Sequence, residues 1–288
     1  MRCPDRAISA FQILSGVSPD RLLTTEMLEN LVRNSALRIY VWATRLGVQR
    51  LPAFDRVFLA LYAAYKSHFE AGPIERLREF MPSGSTVLDV GANVGFFTLR
   101  FARWIGDGEV IAIEPEEKNY RTLIAALDRE GLRHKARVFN AVATASAGTS
   151  RLEINPTHPA DHKLSLDDTG ALVDAVRLDD LIEQKGPGHP SLIKIDVQGA
   201  EMLVLQGTSE ILKLSRPTLF VELSETALQR FGSSVSEVVS YLSQHDYESF
   251  WLMRAGPHRR ASLVEIYSKI RRHGYVDVLF LGPRASSG

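Results

Sequence analysis

The chain has 288 residues, with 34 Lys+Arg balanced by 34 Asp+Glu, and is 45% hydrophobic and 24% charged. That composition belongs to a globular protein with room for one large domain or two modest ones. A formal net charge of zero, without a basic run, argues against binding to a nucleic-acid backbone, which takes clustered cationic charge, and turns the reading toward small molecules.

Residues 1 to about 70 read as helical: Leu28, Leu31 and Val32, then Leu37, Tyr40 and Val41, fall at helical spacing, with Thr24 or Thr25 available as a cap. Gly47 and Pro52 divide this segment, giving an N-terminal helical extension that ends near residues 69–73. Its stripe of Phe54, Phe58, Tyr62, Tyr65 and Phe69 reads either as core or as a lid over a ligand. Asp5, Arg6, Asp20, Arg21, Glu26 and Glu29 interrupt any apolar leader. The longest apolar stretch, residues 57–65, is far short of the roughly 20 residues of a membrane span. The lone cysteine, Cys3, has no partner for an internal disulfide. These features predict a cytoplasmic protein without a membrane span.

From residue 86 the pattern changes to short apolar runs alternating with amphipathic helices, as in a parallel sheet with crossover helices. Strands are predicted over 86–90, 110–114, 137–141, 192–197, 218–223, 249–253 and 276–281, and helices over 96–104, 117–129, 200–214 and 235–245. Seven strands with these helices predict an α/β fold with a doubly wound sheet. One interval, 150–185, breaks the alternation: the strand-like pieces RLEI and AVRL flank a polar loop centred on 158–163. Long insertions at such a place commonly carry function.

The strongest local signal is VLDVGANVGFFT over 87–98: a strand ending in Asp89, a loop with Gly91, Asn93 and Gly95, then a helix. Glycine, and less freely asparagine, lets a backbone turn tightly and approach a ligand. The spacing Gly91-x-x-x-Gly95 is not the Gly-x-Gly-x-x-Gly of a dinucleotide turn. A second strand ends in Glu114, about 20 residues on, where a carboxylate can accept from ribose hydroxyls. Asp89 at the mouth of the first loop disfavours a pyrophosphate and suits the ammonium of a methionyl group. The pair Asp89 and Glu114 therefore points to a cation-bearing nucleoside.

Five runs in order, VLDVGANVGFFTL, VIAIEPEEKNY, AVRLDDLI, LIKIDVQGAEMLVLQG and RPTLFVEL, resemble the FkbM family of S-adenosylmethionine-dependent methyltransferases over roughly residues 70–285. The resemblance implies a class I methyltransferase (Rossmann-like) domain over 71–288, S-adenosylmethionine as cofactor, and O-methylation of a sugar or other small hydroxylated natural product. It carries Asp89, Gly91, Asn93 and Gly95 onto the cofactor loop, Glu114 onto the ribose acid, and Asn140 and Ala141 onto the turn that flanks the adenine. The chain departs from the family run Lys-Ile-Asp-Val-Glu-Gly-Ala-Glu at Gln198, where an amide replaces a carboxylate.

For the chemistry, Asp196 stands at the end of the fourth core strand, the sheet edge where ligands bind. It reads as a general base, substrate orienter or metal ligand, against the plainer reading of a helix cap. His162, in the insertion, has the residue type suited to taking a proton from a hydroxyl, against the plainer reading of a solvated loop histidine. Glu201 reads as a first-turn acid, and Glu222 as a partner of Lys194 or a wall of the acceptor pocket. No metal-ligand spacing is present. Two alternatives stay open: a divalent-metal-dependent methyltransferase of the same fold, using Asp161, His162, Asp196 or Glu222, and a nucleotide-binding Rossmann module of NAD type or without catalysis.

Overall fold

The computed structural model describes residues 71–155, 162–165, 169–185 and 189–283, all within the compact unit Glu70–Gly288. The helical extension expected over 1–70, with its aromatic stripe, lies outside the described residues, as do His158 and Asp161 of the insertion.

A short helix, α1 (Ala71–Ile74), runs into a 3-10 turn (Glu75–Phe80) and leads to the first strand. The larger sheet is built from β1 (Thr86–Val90), β2 (Glu109–Ile113), β3 (Ala136–Phe139), β8 (Pro190–Ile195), β9 (Thr218–Leu223), β10 (Glu248–Trp251), β11 (Arg259–Arg260) and β12 (Val276–Leu281). Its order is β11-β10-β12-β9-β8-β1-β2-β3. The five strands from β3 to β9 run parallel, and β12, β10 and β11 pair antiparallel. The chain order reverses between β1 and β8, so the crevice at a topological switch point opens beyond their carboxyl ends. Seven of these strands are those the sequence predicts; the eighth, β11, has only two residues, both exposed arginines paired with Glu265 and Glu248.

Alternation along β1 explains the packing. Leu88 and Val90 enter the core on one face with Ile111, Ile193 and Val221. Val87 faces the other way, with Leu192, Phe97 and Phe101, because successive side chains of a strand point to opposite sides. Asp89 and its register partner Lys194 share the face of Val87 and Leu192, under helix α2 (Phe96–Trp104). Helix α3 (Glu117–Arg129) is capped by Glu116, whose carboxylate accepts from Asn119 N–H at 2.7 Å.

The structure corrects three expected elements. The strand expected over 137–141 is divided: Asn140 leaves the large sheet after β3, and Ala141 begins β4 (Ala141–Ala143) of a second sheet. That sheet, order β4-β7-β5-β6, joins β4 to β5 (Gly148–Glu153), which leads into the insertion, and to the insertion's β6 (Lys163–Leu164) and β7 (Ala171–Val176). Its Val142, Leu152, Leu164 and Ala175 pack on Ala200, with Val197 and Leu203 alongside, so the insertion leans on the turn after β8. The helix expected over 200–214 is two helices, α5 (Glu201–Gln206) and α6 (Ser209–Leu214). Thr208 Oγ1 donates back to Val204 O at 2.6 Å, ending the first. Asp179, on α4 (Leu178–Lys185), accepts from Glu210 and Ile211 N–H at 3.1 and 3.0 Å and starts the second. The core continues through α7 (Glu225–Arg230), α8 (Val235–Gln244) and α9 (Leu263–His273); the last begins with a reciprocal Ser262–Glu265 capping box.

Candidate active site

The loop between β1 and α2 is shaped by left-handed residues: Gly91 at φ 77, Asn93 at φ 50 and Gly95 at φ 96. At Gly91 an added Cβ would stand 1.8 Å from Asp196 O, so only glycine lets this loop lie against the end of β8. At Gly95 an added Cβ would stand 2.4 Å from Leu123 Cδ1, the end of a flexible side chain, so there the positive φ is the stronger reason for glycine. Asn93 O δ1 accepts from Val94 N–H, and its own N–H donates to Glu114 Oε2 at 2.7 Å.

Glu114 is 4% exposed. Its second oxygen accepts from Glu116 N–H at 3.0 Å and the Asn119 side chain also bonds the carboxylate, which leaves one of its roughly four lone-pair sites for a ligand. Burial pushes its carboxyl up to about 7, against the opposing pull of the Glu116 and Asn93 N–H groups and the Asn119 side chain. Asn140 donates through Nδ2 to Glu114 O and Pro115 O, both at 3.0 Å, which fixes the turn carrying the acid. Ala141, 3% exposed, takes its place in the smaller sheet.

Asp89 is fully buried, with Thr98 Oγ1 donating to Oδ2 at 2.5 Å. Its Oδ1 has no hydrogen-bond partner and lies 3.5 Å from Lys194 Nζ. The sequence placed Asp89 at the mouth of the loop; the tertiary structure turns its carboxylate inward, behind the loop. Lys194, 4% exposed, donates to Gly91 O at 2.8 Å and lies 3.5 Å from Asp196 Oδ2. One buried ammonium thus reaches the loop backbone, Asp89 within β1 and Asp196 just past β8. The sequence suggests Lys194 as a partner for Glu222; its place opposite Asp89 follows from strand register.

Asp196 lies just past β8, with its N–H on Val90 O at 3.1 Å and its side chain 23% exposed. Its Oδ1 accepts from Gln198 Nε2 at 3.1 Å, and the same nitrogen is 3.4 Å from Glu222 Oε1. Glu201 is 2% exposed. Its Oε1 accepts from Val197 and Gly199 N–H at 3.3 and 3.1 Å, while Oε2 is buried without a partner. Burial raises its carboxyl to about 7, and neighbouring Asp196 adds to the rise.

His162 precedes β6 in the smaller sheet, where its Nδ1 accepts from Asn155 N–H at 3.2 Å. In the neutral ring this places the proton on Nε2. Its neighbour Leu164 packs in the cluster that includes Val197 and Ala200, so the insertion and the Asp196 turn share one local core. Among the described residues, no group of three or more His, Cys, Asp or Glu could hold a metal ion, and no helix is long and apolar enough to cross a membrane.

A cofactor with a nucleoside end fits these residues: a tight left-handed loop presents its backbone past the end of β1, and the acid at the end of β2 that binds this loop keeps lone-pair capacity for a hydroxyl. Counting only the seven strands before β11 is added, the order 3-2-1-4-5-7-6 with an antiparallel penultimate strand, and the glycine loop after the first strand, define a class I methyltransferase. The pattern of the FkbM methyltransferase domain matches residues 89–249, more than half of the chain, and the chain belongs to the FkbM methyltransferase family. Its methyl donor is S-adenosylmethionine.

Among curated relatives, the 31-O-demethyl-FK506 methyltransferase FkbM of Streptomyces tacrolimicus is 31% identical over 199 residues, covering 57% of this chain and 73% of that one. Methyltransferase sdnD of Sordaria araneosa is 26% identical over 162 residues, covering 45% of this chain and 62% of that one. The match thus spans less than two thirds of the Sordaria araneosa protein. Of solved structures, methyltransferase FkbM from Methylobacillus flagellatus KT is similar at 20% identity and a TM-score of 0.43, over 88% of this chain and 60% of that one.

Proposed function

We propose that the chain is an O-methyltransferase that moves a methyl group from S-adenosylmethionine to a hydroxyl of a sugar or other small natural product. The observation that carries this reading is the contact between the donor loop and Asp196: Gly91 lies against Asp196 O, and Asp196 N–H bonds Val90 O. A partly exposed carboxylate therefore stands directly beside the loop. The name of the Streptomyces tacrolimicus relative specifies an O-demethyl acceptor, which agrees with transfer to oxygen. A chain of zero net charge suits a neutral polyol-like acceptor in a cytoplasmic setting, and nothing in its composition favours nucleic acid.

When bound, the cofactor supplies an electrophilic methyl group on a positively charged sulfur. Gly91, Asn93 and Gly95 provide the backbone that cradles it, and Glu114 accepts from its ribose hydroxyls, with Asn140 and Ala141 closing the adenine side. Asp89 acts from behind the loop, its negative charge balanced by Lys194. Asp196 receives the acceptor hydroxyl, orients its lone pair and takes its proton; alignment of the reacting atoms and this proton removal are the main tasks left to the protein. His162, with its proton on Nε2, serves as a donor to a neighbouring acceptor oxygen.

Calorimetric titration with S-adenosylhomocysteine tests the donor half: tight binding by the wild type, weakened in Glu114→Ala, is expected, and no binding sinks the assignment. Transfer from S-[methyl-3H]adenosylmethionine to hydroxylated acceptors tests the rest. The label is expected to survive mild alkali as an ether; release as methanol would mark a carboxylate acceptor and overturn the reading.

A further inference from the structure

The side-chain nitrogen of Gln198 stands between two carboxylates, 3.1 Å from Asp196 Oδ1 and 3.4 Å from Glu222 Oε1. Ionised carboxylates only accept, so the amide must turn its nitrogen to both and give one N–H to each. The backbone is held for this purpose. Gln198 sits at φ 55, a conformation that a non-glycine residue adopts only when its surroundings impose it. Glu201 supplies the constraint, because its Oε1 accepts from the N–H groups of Val197 and Gly199, the residues on either side of Gln198. Negative charge is dense here: Asp277 lies directly across from Glu222 on β12, and side chains of directly opposed residues share a face.

Two carboxylates within reach of one atom repel, and such pairs ordinarily share a proton or a cation; here the Lys194 ammonium stands 3.5 Å from Asp196 Oδ2, and the amide takes the other oxygen and faces Glu222. We propose that Gln198 is a positioning residue of the acceptor end, a neutral bridge that holds Asp196 and Glu222 side by side without a metal ion between them. The chain then meets its acceptor through a metal-free carboxylate pair. This rests on the reading that the Asp196 side of the site receives the acceptor. An amide contributes two hydrogen bonds and no charge. A carboxylate at position 198 instead brings three acids to one point, a set of hard oxygen ligands that suits a divalent cation.

The test uses the full chain and Mn2+ as the probe, with free ion followed by electron paramagnetic resonance. Gln198→Glu is expected to bind Mn2+ roughly tenfold or more tightly than wild type, since affinity follows ligand charge, and adding Glu222→Gln is expected to remove the gain. Equal Mn2+ binding by wild type and Gln198→Glu overturns the proposal. A second measurement needs no new ligand. The side-chain 15N–1H signals of Gln198, identified by their loss in Gln198→Leu, are expected to shift in both Asp196→Asn and Glu222→Gln; signals that respond to neither substitution overturn the bridge. S-adenosylhomocysteine titrations on the same samples separate the two readings. Absence of that binding in the wild type defeats the donor assignment, whereas the Mn2+ and amide results decide the bridge independently of it.

Discussion

The backbone N–H of Asn93 donates to Glu114 Oε2 at 2.7 Å, so the glycine loop and the acid at the end of β2 form one hydrogen-bonded unit, although 21 residues separate them. The loop presents backbone; the acid holds that backbone in place and keeps a lone pair for a ligand. Disturbing either one disturbs both.

Through the proposed ribose contact, Glu114 is expected to make donor binding depend on pH. Its carboxyl is raised to about 7 in the free protein by burial, and ribose hydroxyls that donate to it favour the ionised form. Affinity for S-adenosylhomocysteine is therefore expected to rise from pH 5.5 to about 7.5 and level off above, with proton release on binding near neutrality. Titration in buffers of different ionisation enthalpy measures both effects, and Glu114→Gln is expected to abolish them. Affinity that stays flat across this range in the wild type removes Glu114 from the ribose contact.

Stability is expected to run the other way with pH. Glu114 and Glu201 both have folded-state values of about 7, above the ordinary 4.5. Between these values the folded state holds protons that the unfolded chain has released, so stability is lost as pH rises from about 4.5 to about 7 and is constant above. A shift of this size corresponds to about 3 kcal/mol per group at most. Glu201→Gln keeps an acceptor for the Val197 and Gly199 N–H groups and removes the charge at the unpartnered Oε2. Its Tm is expected to match wild type at pH 5 and exceed it at pH 8; an equal or lower Tm at pH 8 rejects this account of Glu201.

Two glycines separate strain from collision. Gly131, at φ 67, has open space where a Cβ would go, whereas Gly91, at φ 77, has Asp196 O at 1.8 Å. Gly131→Ala is expected to cost about 1 kcal/mol, the left-handed penalty alone. Gly91→Ala forces β1 and β8 apart at the site and is expected to cost several times more, roughly 3 kcal/mol or above, with loss of S-adenosylhomocysteine binding. Urea unfolding of the two variants compares them directly.

Lys194 neutralises Asp89 inside the sheet at 3.5 Å, with both residues almost wholly buried. Lys194→Met leaves an uncompensated buried charge and is expected to cost about 3 to 5 kcal/mol. Asp89→Asn added to it removes that charge, keeps an acceptor for Thr98 Oγ1, and is expected to recover part of the loss. A double-mutant cycle by urea unfolding measures the coupling, and strictly additive effects would show that Asp89 and Lys194 do not act as a pair.

Local pattern sufficed for much of the fold. Residues 86–90, 96–104, 117–129, 218–223 and 276–281 form the elements their periodicity predicts, with the same bounds, because each is a strong apolar run or amphipathic stretch closed by glycine or polar residues. The glycine loop and Glu114 were legible for the same reason: a strand ending in a tight turn and a strand ending in an acid are short-range features. The division of the 200–214 helix was hidden, since the Asp179 carboxylate that starts its second half comes from about thirty residues away. The second sheet was hidden too, because β4 pairs with β7 across the whole insertion, and a two-residue strand such as β6 has no periodicity to read.

The sequence by itself determined the parallel α/β framework, the glycine loop and the family, through motifs whose meaning is local. Only the tertiary structure decided where the charges point. Strand register sets Asp89 beside Lys194 and faces both under α2, which turns inward a carboxylate that the linear motif left at the loop mouth. Likewise, the change from acid to amide at position 198 is one letter in the sequence. It acquires physical meaning when β8 and β9 lie side by side and bring Asp196 and Glu222 to the same nitrogen. Hydrogen bonds and ion pairs act over a few ångströms, and which residues come that close is fixed by how strands distant in the chain align.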